Sequence, residues 1–220
     1  MSEPPAIDPA VVLWSAPAEA RAGRPLLVLL HGYGTDERDL FGLVPYLPEG
    51  FVVASVRAPR TPPFPTPGFS WYPIEGLDGR NPEWVTSAAE GVLAWLDDVR
   101  GDAPMVGMLG FSQGGVMALQ CLRLRPHDID FAVNLAGYAS PSPLPTDAEL
   151  ATVKPAVFWG RGARDEVIPD ALVIHTTQWL PGHADLSGRV YPALAHSVSE
   201  EELQDVRVFL EKRLGALADR

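Results

Sequence analysis

The sequence predicts an α/β fold of three layers, in which helices cover both faces of a mostly parallel central β-sheet. Two observations lead to this prediction: short apolar runs alternate with helical patterns, and the runs lack the polar alternation of half-exposed strands. Right-handed crossovers between parallel strands then pack the helices on the sheet. The 220 residues contain no repeat or linker, which predicts one domain over residues 1–220. The predicted strands are Leu26–Leu30, Phe51–Ser55, Met105–Leu109, Phe131–Leu135, Ala156–Trp159 and Arg189–Tyr191.

Two of the predicted helices have clear start signals. Asn81 is placed to cap a helix that begins at Pro82, and apolar residues follow it at helical spacing. The last helix begins from Ser199, where Ser199 and Glu202 have the spacing of a capping box. Both helices have an apolar side to turn toward the sheet.

A proline-rich segment, residues 58–73, interrupts the alternation of strands and helices. Its prolines exclude a helix or a central strand. One interpretation is a stiff connection that packs against the domain. The other is one wall of an acyl or alcohol pocket, with Phe64, Phe69 and Trp71 as candidate substrate contacts. An exposed apolar patch around Phe64 to Trp71 would fit a substrate mouth, a dimer contact or both.

Charge and composition exclude several classes of protein. The net charge of −11 disfavours binding to nucleic acid and to anionic membranes. The apolar runs are too short to span a bilayer, and the first residues do not resemble a signal peptide. The single cysteine, Cys121, fits a reducing cytoplasm. Since no nucleotide-binding glycine loop and no cluster with metal-ligand spacing is present, we expect no cofactor and no metal.

The pentapeptide Gly110-Phe111-Ser112-Gln113-Gly114 joins a predicted buried strand to a predicted helix. In this context a G-x-S-x-G motif forms a sharp turn that exposes the serine hydroxyl. The helix that follows directs its free N–H groups toward the same point, where they favour a developing negative charge. We therefore predict that Ser112 is the nucleophile of a serine hydrolase.

A serine nucleophile needs a base and an orienting acid, which follow it along the chain in the order acid, then histidine. Asp165 lies in the loop after the Ala156–Trp159 strand and is the favoured acid, with the adjacent Glu166 as the alternative. Of the five histidines, His196 alone follows the last predicted strand and precedes the final helix. We predict His196 as the base.

An acyl-transfer site also needs two N–H donors for the oxyanion. One donor follows the nucleophile, and the other follows an early strand that ends in a glycine-flanked turn. These positions correspond to the backbone N–H groups of Gln113 and Tyr33. His31 precedes that turn and is expected to position it rather than to transfer protons.

With these residues identified, the sequence resembles the phospholipase/carboxylesterase family of α/β hydrolases, which includes the acyl-protein thioesterases. The resemblance implies the α/β-hydrolase fold, the triad Ser112, Asp165 and His196, an open site with little lid, and activity on carboxylic esters or thioesters. The matching stretches are Leu30-His31-Gly32-Tyr33-Gly34, Arg57-Ala58-Pro59, Gly68-Phe69-Ser70-Trp71-Tyr72, Gly110–Gly115, Asn134-Leu135-Ala136-Gly137-Tyr138, Asp165-Glu166-Val167-Ile168-Pro169 and Tyr191–Ser199.

This chain departs from the family's usual pattern in two places. Ala193 and Ala195 stand near the histidine where glycines are common, and Gly160-Arg161-Gly162 stands where a His-Gly pair is more usual. Neither departure removes a predicted catalytic group. Both leave open the range of substrates.

The predicted function is a serine hydrolase that cleaves carboxylic esters through an acyl-serine intermediate. Its expected partner is a small-molecule ester or thioester, with neither nucleic acid nor stable membrane insertion, and a homodimer is compatible with the sequence. An acyl-protein thioesterase is the alternative, which a long acyl channel lined by residues 58–73 would favour. A non-catalytic binding protein would usually lack a triad member, and a serine peptidase would usually need an added cap or propeller domain.

Overall fold

A seven-stranded sheet forms the middle layer of the molecule. The computed structural model describes residues 4–74 and 81–218 of the chain. The strands are β1 (Leu13–Trp14), β2 (Leu26–Leu30), β3 (Val52–Val56), β4 (Val106–Phe111), β5 (Phe131–Leu135), β6 (Ala156–Gly162) and β7 (Asp185–Tyr191). Their spatial order is β1-β3-β2-β4-β5-β6-β7. Only β1 among these strands runs antiparallel to its neighbour. The predicted mostly parallel sheet is confirmed.

Helices cover both faces of this sheet. They are α1 (Glu37–Phe41), α2 (Pro82–Val99), α3 (Gln113–Leu124), α4 (Asp147–Val153), α5 (Asp170–His183) and α6 (Glu200–Ala218), with short 3₁₀ turns at Pro9–Val11, Ala18–Ala20 and Val44–Tyr46. Every residue of β2 is buried: Val28 belongs to the core that contains α2 and α3, and Leu29 to the core that contains α1 and α6. Alternate residues of one strand thus serve two hydrophobic cores, which explains the absence of polar alternation in the sequence.

The two predicted helix starts are present. The Asn81 side chain accepts a hydrogen bond from the Glu83 N–H at 2.9 Å, as expected for an N-cap. At α6, the Ser199 hydroxyl oxygen accepts from the Glu202 N–H at 3.1 Å. The Glu202 carboxyl is buried, and the backbone of Ser199 partly opposes the rise in its pKa that burial causes. Ser199 therefore caps α6 as the sequence predicts.

The strand at the end of the sheet differs most from its prediction. The sequence predicts a strand over Arg189–Tyr191, whereas β7 begins at Asp185 and pairs along its whole length with β6. As an edge strand, β7 exposes most of its residues and contains polar ones that give no apolar signal. The strand β1, which pairs with β3, is missing from the prediction because two residues are too few to show a strand pattern.

Candidate active site

The turn between β4 and α3 has an unusual backbone conformation at Ser112. This residue has φ of 54° and ψ of −118°, a region that residues other than glycine rarely occupy. Its N–H donates to the Leu135 carbonyl at 2.8 Å, which fixes the turn to β5. Close packing of α3 on the sheet depends on Gly114, where an added Cβ would overlap the backbone carbonyl of Leu30. The motif therefore forms the sharp turn that the sequence predicts.

The structure brings Ser112, His196 and Asp165 together in one hydrogen-bonded row. His196 Nε2 lies 2.8 Å from the Ser112 Oγ, and His196 Nδ1 lies 2.8 Å from the Asp165 Oδ2. Asp165 follows β6, and His196 lies between β7 and α6. All three residues therefore occur beyond the carboxyl ends of parallel strands, the edge where open α/β sheets bind their ligands.

Backbone hydrogen bonds fix the Asp165 carboxylate toward the histidine. Its Oδ1 accepts from the N–H of Val167 at 2.9 Å and from that of Ile168 at 3.2 Å, which leaves Oδ2 for His196. The neighbouring Glu166 is exposed to solvent. The structure thus places Asp165, and not the alternative Glu166, against His196.

Tyr33 and Gln113, the two predicted oxyanion donors, line the same cavity as Ser112. Gln113 is the first residue of α3, where backbone N–H groups have no partner within the helix. Tyr33 follows β2, and β2 pairs with β4 in a register that sets Leu30 beside Gly110. The sheet register therefore brings both backbone segments to the nucleophile.

His31 is buried beside this turn in a neutral form. Its Nε2 accepts a hydrogen bond from the Ala58 N–H at 3.0 Å, so its Nδ1 carries the proton and donates to the Gly32 carbonyl at 2.7 Å. Burial lowers the pKa of His31, which disfavours a charged ring. The ring bridges the turn at Gly32 and the start of residues 58–73.

A cavity of about 220 Å³ opens at Ser112 and His196. Its wall is largely apolar, and the hydroxyl oxygens of Tyr72 and Tyr138 lie 3.2 Å apart within it. A cavity of this size lies below the range of about 300–1,000 Å³ that is typical of sites for drug-sized ligands. The larger side chains that line it are those of Tyr33, Tyr72, Ile74, Phe111, Tyr138, Val167 and Ile168.

Three aromatic side chains, those of Phe64, Phe69 and Trp71, are predicted to contact substrate. None of the three is among the described residues that line this cavity. Trp71 is fully buried, Phe69 is half-buried beneath the Arg57 guanidinium, and Phe64 is 97% exposed. The proline-rich segment contributes Tyr72 to the wall instead. The sequence indicates an aromatic segment, but the direction of each ring depends on how the segment packs against the turn between β4 and α3.

Within residues 4–74 and 81–218, no group of three or more His, Cys, Asp or Glu side chains has the arrangement of a metal site. No helix in the same residues combines the length and the apolar character needed to cross a membrane.

Comparison with known proteins relates this arrangement to one enzyme family. The profile described as Phospholipase/Carboxylesterase matches residues 16–214. Acyl-protein thioesterase 1 of Saccharomyces cerevisiae is 33% identical over 111 residues, which is 49% of each protein. A probable carboxylesterase of Oryza sativa is 29% identical over 222 residues, which covers 89% of this chain and 91% of that protein. The chain matches about half the length of two yeast thioesterases.

A solved structure extends the similarity to the fold. Acyl-protein thioesterase 2 of Zea mays superposes with a TM-score of 0.77 and 22% sequence identity, covering 92% of this chain and 98% of that one. At this identity the likeness shows a shared α/β-hydrolase fold.

Proposed function

Because the chain belongs to the phospholipase/carboxylesterase family, we propose that it is a serine hydrolase of carboxylic esters with Ser112, His196 and Asp165 as its triad. The observation that carries this proposal is the position of His196, hydrogen-bonded to Ser112 Oγ on one side and to Asp165 Oδ2 on the other. This arrangement gives the serine a base and the base a fixed tautomer.

Acylation of Ser112 begins when its oxygen attacks the ester carbonyl carbon while His196 Nε2 takes the hydroxyl proton. The carbonyl oxygen becomes an oxyanion, which the N–H groups of Tyr33 and Gln113 stabilise. The carbon–oxygen bond to the leaving group then breaks, and the departing alcohol takes the proton from His196. Asp165 stays ionised and holds the imidazolium.

Deacylation repeats these steps with water. His196 takes a proton from the water, whose oxygen attacks the acyl carbon and forms a second oxyanion in the same place. The bond to Ser112 Oγ breaks, the serine regains the proton from His196, and the carboxylic acid leaves. The net reaction consumes one water and needs no cofactor.

We also propose that the acyl group is short. The cavity beside Ser112 is small and largely apolar, which fits a few methylene groups better than a long chain. A thioester would follow the same steps with a thiol as leaving group, and the names of the thioesterase relatives favour this second candidate. A cytoplasmic location and a homodimer remain predictions from the sequence.

The activated serine is tested with a fluorophosphonate probe and intact-mass measurement of the purified protein. We expect one adduct on the wild type, with loss of fluoride, no adduct on Ser112→Ala, and much slower labelling of His196→Ala. The absence of an adduct on folded wild-type protein would contradict the proposal. A series of 4-nitrophenyl esters and matched thioesters of rising acyl length would then identify the preferred substrates.

A further inference from the structure

The side chain of Gln113 is fully engaged with the end of the proline-rich segment. Gln113 is 4% exposed, its Oε1 accepts from the Trp71 N–H at 2.9 Å, and its Nε2 donates to the Tyr72 carbonyl at 2.7 Å. The backbones of Trp71 and Tyr72 are thus hydrogen-bonded to the side chain of Gln113, whose backbone N–H is a proposed oxyanion donor. We call residues 69–72 the wall segment, since Tyr72 lines the cavity.

The same wall segment is attached to the other side of the oxyanion site. The indole N–H of Trp71 donates to the His31 carbonyl at 2.8 Å. The Phe69 carbonyl accepts from the Gly34 N–H at 2.9 Å. These two contacts flank Tyr33, which provides the second proposed donor. The wall segment therefore joins the two backbone stretches that face the oxyanion, although they lie far apart in the sequence.

We propose that the Gln113 side chain is a positioning residue for the ester hydrolysis described above. By holding the wall segment against the start of α3, it fixes the distance between the N–H groups of Tyr33 and Gln113 and the place of Tyr72 in the cavity. This inference rests on the proposed function, since it concerns the same oxyanion. It assigns a role to the Gln113 side chain in addition to that of its backbone.

The expected effect is on turnover rather than on substrate binding. Oxyanion donors act mainly on charge that develops in the transition state, so displaced donors lower kcat more than they raise KM. Gln113→Met keeps the backbone N–H and removes both side-chain hydrogen bonds. Since small misplacements of catalytic groups are costly, we expect kcat for a short ester to fall by about 10- to 100-fold with little change in KM.

Gln120→Met is a matched control on the same helix. Gln120 is also buried and makes two side-chain hydrogen bonds, to the Thr86 hydroxyl at 2.9 Å and to Arg123 at 3.2 Å, but it does not line the cavity. Its replacement lowers the melting temperature in the same way and leaves kcat unchanged. A merely structural role for Gln113 predicts equal effects of the two variants on kcat.

A second variant, Gln113→Glu, keeps the test decisive if Gln113→Met folds poorly. An ionised carboxylate still accepts from the Trp71 N–H but repels the Tyr72 carbonyl, whereas a protonated carboxyl donates to that carbonyl. We expect the ratio of its kcat to that of the wild type to rise as the pH falls from about 8 to 6, since burial raises the pKa of a carboxyl toward this range.

Wild-type kcat in folded Gln113→Met, or a kcat of Gln113→Glu equal to that of the wild type at both pH values, would overturn the inference while wild-type hydrolysis and probe labelling persist. An unlabelled, inactive wild type would instead refute the proposed function and this inference with it. Circular dichroism and melting temperatures, measured on each variant, identify any that have not folded.

Discussion

The Nδ1 atom of His196 lies 2.8 Å from the Oδ2 atom of Asp165, although the two residues belong to different loops. The pairing of β6 with β7 brings these loops together, since Gly162 and Tyr191 are partners at the ends of the two strands. The carboxylate is fixed by two backbone N–H groups before it meets the imidazole. Its orientation is therefore set independently of substrate.

Asp165→Asn is expected to lower kcat for ester hydrolysis by about 10³- to 10⁴-fold, since an amide does not hold the imidazole in the required tautomer or stabilise its charged form. Initial rates with a short 4-nitrophenyl ester measure this effect. Glu166→Gln is the matched control and is expected to keep the wild-type kcat, since Glu166 is exposed. The reverse result would identify Glu166 as the acid.

The ion pair between Glu37 and Arg57 is expected to matter for stability. Glu37 is 1% exposed, and Arg57 donates to both of its carboxylate oxygens through Nε and Nη2. This contact keeps the pKa of Glu37 below its usual value. Arg57→Met removes both hydrogen bonds to a buried carboxylate and is expected to lower the free energy of unfolding by about 2 kcal/mol.

Urea denaturation at pH 7 measures this loss. Arg38→Met provides the comparison, since Arg38 contacts the same carboxylate at 3.3 Å but its side chain is 70% exposed. A pair with so exposed a partner contributes less than about 1 kcal/mol. Equal losses of unfolding free energy in the two variants would contradict the prediction that the contact of Glu37 with Arg57 contributes more than its contact with the exposed Arg38.

Gly114→Ala is expected to destabilise the packing of α3 on the sheet severely. A methyl group at this position would overlap the Leu30 carbonyl, a backbone atom of the central strand β2 that has no room to move. Gly182→Ala is the control: this helical glycine has no atom near the position of an added Cβ, so the change is expected to be neutral or stabilising by up to about 1 kcal/mol. Melting temperatures distinguish the two, and a wild-type value for Gly114→Ala would contradict the close approach.

Glu202 is expected to make stability depend on pH. Glu202 is 1% exposed, and burial raises the pKa of its carboxyl from 4.5 to about 7, although the backbone of Ser199 partly opposes this shift. Between these values the unfolded chain has lost the Glu202 proton and the folded chain keeps it. The unfolded state therefore binds fewer protons, and the contribution of Glu202 to stability falls as the pH rises from about 4.5 to 7.

Glu202→Gln removes this ionisation. Relative to the wild type, we expect the variant to gain roughly 3 kcal/mol in free energy of unfolding between pH 4.5 and pH 8, since one pKa unit corresponds to about 1.4 kcal/mol. The exposed neighbour Glu201, changed to Gln, is expected to give no such pH-dependent gain. Urea titrations at the two pH values provide the measurement, and parallel curves for wild type and Glu202→Gln would refute the prediction.

The central strands were predictable because burial on both faces leaves an unmistakable pattern. β2 and β5 have the predicted bounds, and β3 and β4 begin one residue later than predicted. The edge strand β7 was predicted only at its end, since its polar residues are held in the sheet by backbone hydrogen bonds to β6 and not by burial. Backbone hydrogen bonding of β7 depends on the adjacent strand β6, so the types of side chain in β7 give little indication of it.

By itself, the sequence determined the layered α/β fold, the glycine-flanked serine turn and the chain order of acid and histidine. These features follow from local rules: apolar periodicity, the room that glycine allows, and the connection of strands to helices. The tertiary structure decided which acid faces His196, that Tyr72 rather than Trp71 lines the cavity, and that the Gln113 side chain holds the wall segment. Each of these depends on the direction of a side chain between distant segments, which is set by packing and by long-range hydrogen bonds.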